Sequence, residues 1–253
     1  MSVLARAREK FKGIIIKNNL LEQDIMISAH GLSTEEVIGN PERNDFPLLQ
    51  GKEVMIQAEF NGSYGQAFTD HPGNYRGSLK DIIALPLDSI YQRALLVATI
   101  NSVLRSLNLL EKTVHCKNEE PELCAAKMLN WLTEQPIKIK ATTKLGLIGF
   151  QPAILEESIK FFGAENLILT DLNQEKIGQE RYGVKVWSGT EDNERLIKEA
   201  DLILLTGSTI VNGSLDGLLK LLDHYNKRYF IYGNTISGVA SLLELPWLCF
   251  YGR

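Results

Sequence analysis

The chain has 253 residues, 44% of them apolar and 23% charged, with a net charge of −4; that is enough for one large domain or two ordinary ones with a proper core. The acidic balance leaves no basic excess to neutralise phosphates, which excludes nucleic acid as an expected partner. No apolar run approaches the roughly 20 residues of a membrane span, residues 1–17 lack the apolar centre of a signal peptide, and three cysteines fit a reducing compartment rather than a disulfide framework, so a cytoplasmic protein without membrane insertion is expected.

In chain order, residues 2–18 read as a helix with Leu4, Ala7, Phe11 and Ile14/Ile15 on one stripe. A short strand follows over 24–29. Ser33 or Thr34, just before Glu35-Glu36, suits a helix cap. Residues 39–47, Gly-Asn-Pro-Glu-Arg-Asn-Asp-Phe-Pro, have no periodicity and mark an ordered loop, functional or merely connecting. Its polar members Asn40, Arg43 and Asp45 are candidate ligand contacts. Strand-like runs at 52–60 and 66–69 flank Asn61-Gly-Ser-Tyr-Gly65, which is hairpin chemistry. The second arm ends at Thr69-Asp70-His71, a cluster with hydrogen-bonding reach. Residues 77–83 suit a short helix or strand. A long amphipathic helix is predicted over 88–109, with Asn101 inside its apolar stretch as a structural tie or a pocket wall. Pro121 opens a helix running to about residue 134.

His115, Cys116 and Cys124 stand close enough in sequence to share a soft metal ion. The spacing is not a zinc-finger pattern, and Cys124 also fits an apolar helical stripe with Met128, Trp131 and Leu132. The metal candidates are therefore His115 and Cys116, with Asp45, Asp70 and His71 as oxygen or nitrogen alternatives. A hairpin followed by helices gives this half an α+β layout. Residues 135–143 form the expected linker, placing the domains at 1–135 and 136–253.

The second half alternates strands and helices: strands near 144–150, 166–170, 183–187, 201–205, 228–232 and 247–251, helices near 155–162, 191–199, 215–222 and 239–243. That pattern predicts an α/β fold, a parallel sheet with helices on both faces. Ligands in such sheets lie beyond the carboxyl ends of the strands. The strand-end residues are Phe150, Gln151, Asp171, Thr206, Gly207, Ser208, Thr209, Asn212, Gly233, Asn234 and Thr235; they are expected to converge on one crevice as ligand contacts. The helix starts after Thr209 and Thr235 suit an anion. Asp171 stands where a ribose-binding carboxylate would stand. The first turn, Gly146-Leu-Ile-Gly-Phe-Gln-Pro152, is nevertheless not GxGxxG. Bulky Phe150 and Gln151, and Pro152 without an N–H, replace the small residues a pyrophosphate needs, so no standard NAD site is expected.

The chain resembles the putative heavy-metal chelation family. The resemblance rests on Gly39-Asn-Pro-Glu-Arg-Asn-Asp-Phe-Pro-Leu-Leu, Gly65-Gln-Ala-Phe-Thr-Asp, Ala98-Thr-Ile-Asn-Ser-Val, Thr113-Val-His-Cys, Thr206-Gly-Ser-Thr-Ile-Val-Asn-Gly and Pro246-Trp-Leu-Cys-Phe-Tyr-Gly. It implies an N-terminal domain like the enolase N-terminal domain, a C-terminal Rossmann-like domain, and a site between them. It also implies handling of a transition-metal ion or metal-bearing small molecule. A homo-oligomer, and a structural or adaptor role linked to a metal-transport system, are separate readings that the sequence leaves open. The alternative is a metal-free binding protein or enzyme for a nucleotide-like ligand. Whether a reaction is catalysed stays open at this point.

Overall fold

The computed structural model describes residues 1–28, 35, 38–43, 45, 46, 54–135 and 139–253. The expected cap at Ser33 or Thr34, Asn44 and Pro47 of the loop, the start of the strand run at 52–53 and Pro136 of the linker lie outside the described residues. Among the described residues two sheets carry the fold, one of four strands and one of seven.

Helix α1 (Val3–Lys17) is capped by Ser2, whose hydroxyl accepts the Ala5 N–H at 3.2 Å. It buries Val3, Leu4, Ala7, Phe11 and Ile15. Asp216 in the second half accepts the Val3 N–H at 2.8 Å, and Lys10 donates to the Leu242 carbonyl at 2.7 Å. Strands β1 (Asp24–Ser28), β2 (Val54–Phe60), β3 (Ser63–Thr69) and β4 (Tyr75–Ser78) pair antiparallel. The β2–β3 turn is only Asn61-Gly62, both at positive φ (49° and 74°). Such a two-residue primed turn matches the twist of its strands, so Ser63–Gly65 belong to β3 and not to the predicted loop. The segment expected as helix or strand over 77–83 is both. β4 ends at Ser78, whose hydroxyl and Asp81 form a capping box for α2 (Leu79–Ala84).

Helix α3 (Ile90–Ser106) corrects the sequence expectation of an amphipathic helix. Every residue from Ala94 to Leu104 is buried. It is covered on one side by β2 and β3 and on another by elements of the second half. A helix enclosed all round needs no polar stripe. Helix α4 (Glu120–Glu134) follows, with Pro121 in its first turn.

In the second sheet β5 (Leu145–Ile148), β6 (Leu167–Asp171), β8 (Val184–Ser188), β9 (Leu202–Thr206), β10 (Arg228–Tyr232) and β11 (Trp247–Leu248) run parallel. Numbered among themselves they stand in the order 3-2-1-4-5-6, reversing between β5 and β9. The short β7 (Glu180–Arg181) adds an antiparallel edge. The connecting helices are α5 (Pro152–Phe162), α6 (Asn193–Glu199), α7 (Thr209–Asn212), α8 (Leu215–His224) and α9 (Ser237–Leu243). Each of the two hydrophobic core clusters draws residues from both sides of position 136: Phe11, Ile56 and Leu95 meet Ile203 and Val239 in one, and Phe46, Met55 and Met128 meet Leu147 and Leu155 in the other. No helix among the described residues is long and apolar enough to cross a membrane.

Candidate functional site

The carboxyl ends of β5, β6, β9 and β10 open into a cavity of about 450 Å³. Its far wall comes from the first half: the end of β3, the 115–116 segment and α4. Thr69, Asp70, His115, Cys116, Phe150, Gln151, Asp171, Thr206, Gly207, Ser208, Thr209, Asn212, Gly233, Asn234 and Thr235 all line it. A parallel sheet produces this convergence because every strand ends on the same side, and the order reversal leaves a gap there.

Hydrogen-bond accounting separates the residues that shape the cavity from those with capacity to spare. At the first turn Gly149 (φ 95°) donates to the Thr170 carbonyl at 2.8 Å, and the Phe150 N–H goes to Asp171 Oδ2 at 2.7 Å. A Cβ on Gly149 would sit 2.6 Å from Thr206 Cγ2. Asp171 Oδ1 takes the Asn173 N–H at 2.8 Å. Gln151 Oε1 caps α5 by accepting the Ile154 N–H at 2.6 Å. The amides that would cradle a pyrophosphate are thus spent inside the protein. Asp171, read from the sequence as a ribose carboxylate, ties down that turn with Oδ2 and its own following loop with Oδ1.

At the second turn the Gly207 N–H donates to the Tyr232 carbonyl at 2.8 Å, and the Thr209 hydroxyl donates back to the Thr206 carbonyl at 2.7 Å. Asn212 Oδ1 accepts both the N–H and the hydroxyl of Ser214, at 2.9 and 2.7 Å. Arg93 of α3 reaches over to donate to the Val211 carbonyl at 2.7 Å, fixing the loop from the first half. Helices α7 and α9 have four and seven residues. They are too short for the dipole-driven anion sites expected after Thr209 and Thr235.

The third turn carries the most available capacity. Asn234 is 2% exposed; its amide donates weakly to the Thr113 carbonyl at 3.4 Å, and its Oδ1 has no hydrogen-bond partner. Buried amide oxygens are almost always bonded, so this oxygen, on a residue of the cavity wall, stands out for its unmet bond. Thr235 Oγ1 accepts the Phe68 N–H at 3.2 Å, leaving its own proton to give.

Opposite these turns, Gln66 (1% exposed) is held by Gln57 and accepts the His115 N–H at 2.7 Å. The His115 ring stands edge-on to Phe68, centroids 5.6 Å apart. Its Nδ1 lies 2.6 Å from the Cys116 carbonyl oxygen. A carbonyl can only accept, so Nδ1 carries the proton and Nε2 keeps a lone pair, the arrangement that orients a histidine ligand. Burial pushes the imidazole down to about 4, against the bond to Cys116 and the charge of Glu120. Burial likewise pushes the Cys116 thiol well up. Thr69 Oγ1 accepts the His71 N–H at 3.0 Å, while Asp70 and His71 pair at 2.8 Å out in solvent.

The His115 shift sets a pH dependence. The folded state binds fewer protons than the unfolded chain between its ordinary 6.5 and about 4. The associated stability is therefore complete above pH 6.5 and is lost as pH falls toward 4. A fully shielded group would lose about 3 kcal/mol across that span; His115 faces the cavity, so about 1 kcal/mol is expected. Urea melts with chelator present should show wild type losing that much more than His115→Gln between pH 7 and 4.5. Parallel curves would refute it.

Asn40, Arg43 and Asp45 do not line the cavity. Arg43 forks onto Asp45 at 2.6 and 2.9 Å, and reaches Glu156 at 3.0 Å and Tyr182 at 2.8 Å. Burial pushes the Asp45 carboxyl up, but the bonds from Arg43 and Tyr182 outweigh it and hold it low. Asn40 takes its partners from Asn118 and Glu35. This cluster fastens the loop to the second half, and the loop's apolar members Ile38 and Phe46 reach the cavity instead. Sequence reasoning passed over those two, together with Phe68, Asn173, Asn193 and Cys249. Position after a strand end could have flagged Asn173 and Cys249; nothing local flags Phe46 or Phe68.

Residues 132–244 match the DUF364 family model, described as "Putative heavy-metal chelation", so the resemblance read from the sequence is borne out over that span. Over 96% of its length the chain is similar in structure to a DUF364 protein of unknown function from Pyrococcus horikoshii, with 83% of that chain covered, TM-score 0.54 and 19% identity. A second DUF364 protein of unknown function, from Desulfitobacterium hafniense DCB-2, matches 80% of this chain and 77% of its own at TM-score 0.48 and 13% identity. Among curated proteins none matches.

Proposed function

We propose that the cleft binds a small metal-bearing molecule. His115 and Cys116 contact the metal, and the turns after β9 and β10 hold the organic part. The observation that carries this reading is one continuous cavity with an imidazole and a thiol at one wall and, joined to that wall through Thr113 and Phe68, the polar side chains of Asn234 and Thr235. The family description points the same way. Neutral imidazole and sulfur are donors for soft and borderline ions. Among the described residues no three of His, Cys, Asp and Glu are grouped to hold an ion. In this reading His115 and Cys116 fill two positions of the ion and the bound molecule fills the rest, so a metal complex is the proposed ligand. In this reading the first half corresponds to the enolase N-terminal domain. The second is Rossmann-like, supported by its 3-2-1-4-5-6 parallel order, but has given up the dinucleotide cradle.

Nickel and cobalt nitrilotriacetate are suitable probes, since each leaves coordination positions open. Calorimetric titration should show wild type binding at least about tenfold more tightly than the His115→Ala/Cys116→Ala variant, a difference of about 1.4 kcal/mol. Asn234→Ala should weaken the complex while leaving any bare-ion affinity unchanged. Equal affinity of wild type and the double variant sinks the metal part. The second reading, an organic ligand without metal, would then be favoured by the unpartnered Asn234 Oδ1.

A further inference from the structure

All three cysteines of the chain are unbridged and line the same cavity. They arrive on three segments that are tied together. Val114 and Arg253 exchange both backbone hydrogen bonds, at 2.8 and 2.9 Å, and Arg253 donates to Glu120 at the start of α4 at 2.8 Å. That lacing brings Cys124, in the second turn of α4, beside Cys249, just past β11: the N–H of Phe250, the residue after Cys249, donates to Cys124 Sγ at 3.4 Å. The backbone turns inward around the pair. Gly252 approaches so closely that a Cβ there would lie 2.8 Å from Cys249 Sγ. The Phe250 and Tyr251 amides favour negative charge on Cys124, and the Gly252 amide favours it on Cys249.

We propose that Cys124 and Cys249 form a thiol–disulfide exchange site for low-molecular-weight disulfides admitted through the cavity. Cys124 is the attacking residue: it is half-buried, whereas Cys249 is buried. The neighbouring Cys249 thiol, the Phe250 and Tyr251 amides and the charge of Lys112 favour its thiolate and hold its thiol below the usual range. The same contact and burial push Cys249 up, as suits a resolving thiol that ionises only late. In the first step the Cys124 thiolate attacks one sulfur of R–S–S–R; that S–S bond breaks and RS⁻ leaves, taking up the proton that Cys124 released. In the second step Cys249 gives up its proton and attacks the Cys124 sulfur, expelling the second RS⁻, which is protonated in turn. One disulfide and two protein thiols become one internal disulfide and two RSH, with two electrons passing to the small disulfide. Excess RSH reverses both steps. The site needs no metal, so it stands apart from the function proposed above.

The test uses the full chain with hydroxyethyl disulfide and, separately, oxidised glutathione, read by intact mass and peptide mapping after acid quench. Wild type should lose two hydrogens and yield a Cys124–Cys249 cross-linked peptide without a lasting adduct. Cys249→Ser should trap one thiol half on Cys124. Cys124→Ser should react at least about tenfold more slowly. Thermal melts establish that each variant is folded, with Cys249→Ala in reserve should the serine prove unstable. A wild type that stays reduced, or carries its adduct on Cys116, overturns the assignment. So does a Cys249→Ser protein with no adduct on Cys124.

Discussion

Replacing Asn101 by leucine is expected to cost about 4 kcal/mol of folding stability, because three buried backbone groups lose their partners at about 1–3 kcal/mol each. Asn101 is 0% exposed at the middle of α3. Its amide donates to the carbonyls of Gln66 at 2.9 Å and Thr235 at 3.0 Å, and more distantly to that of Asn234 at 3.4 Å. Its Oδ1 accepts the Gly238 N–H at 2.8 Å and the Ser237 hydroxyl at 3.1 Å. Leucine keeps the shape and removes every one of these bonds. Ser237 still has the Asn234 carbonyl at 2.8 Å, but Gly238, Gln66 and Thr235 have nothing in exchange. Asn101→Asp should be worse at neutral pH, since it sets a carboxylate against three carbonyl oxygens, and should recover in part as the acid protonates. Equilibrium urea denaturation measures both; a loss below about 1 kcal/mol for the leucine variant would mean that water replaces the amide there. Because Thr235 and Asn234 line the cavity, the same variant should also loosen ligand binding.

Asn101 also shows how far a sequence reaches. An asparagine amid Ala, Thr, Ile, Ser and Val must be bonded, which admits a structural tie; its five partners lie 35 to 137 residues away, where no local rule reaches. The strand ends were legible because parallel sheets put function at one fixed place, so Thr206–Thr209, Asn212 and Gly233–Thr235 could be named from spacing alone. Arg43 and Asp45 looked like ligand contacts because a polar loop without periodicity suggests function. Their charges meet each other, Glu156 and Tyr182 instead, a pairing decided by how the loop folds back onto α5. The β7 edge escaped notice because its turn, Tyr182-Gly183, both at positive φ, uses a tyrosine where asparagine is the usual signal. Cys249 escaped because a cysteine beside an apolar strand reads as core, and only the lacing of residues 113–116 to 249–253 brings it to Cys124.

Gly65→Ala is expected to be the most damaging single methyl in the chain. A Cβ at this position of β3 would lie 2.2 Å from the Ser102 nitrogen, 2.4 Å from the Ala98 oxygen and 2.7 Å from the Asn101 carbonyl carbon, all backbone of α3. No rotamer change relieves such a contact, so α3 would have to move away by about 1 Å, against a core close-packed like a crystal. On its other side α3 has no room to move. A Cβ on Gly238 of α9 would already sit 2.7 Å from both Asn101 Oδ1 and Ile100 Cγ2. The helix is gripped between two glycines, one from each half of the chain, and that double close approach is what fixes the far wall of the cavity relative to the strand ends. Ordinary overpacking costs about 1–3 kcal/mol; with backbone on both sides the loss here should exceed about 4 kcal/mol, and the variant should be partly unfolded at 37 °C. Gly13→Ala supplies the opposite sign. That glycine lies inside α1 with nothing within 4 Å of a new Cβ, so alanine should stabilise by about 0.5–1 kcal/mol. Thermal and urea melts of the two variants side by side decide the matter: a Gly65→Ala protein as stable as wild type would mean that α3 shifts freely, and the cavity it borders would then lack the rigid wall on which ligand selection depends.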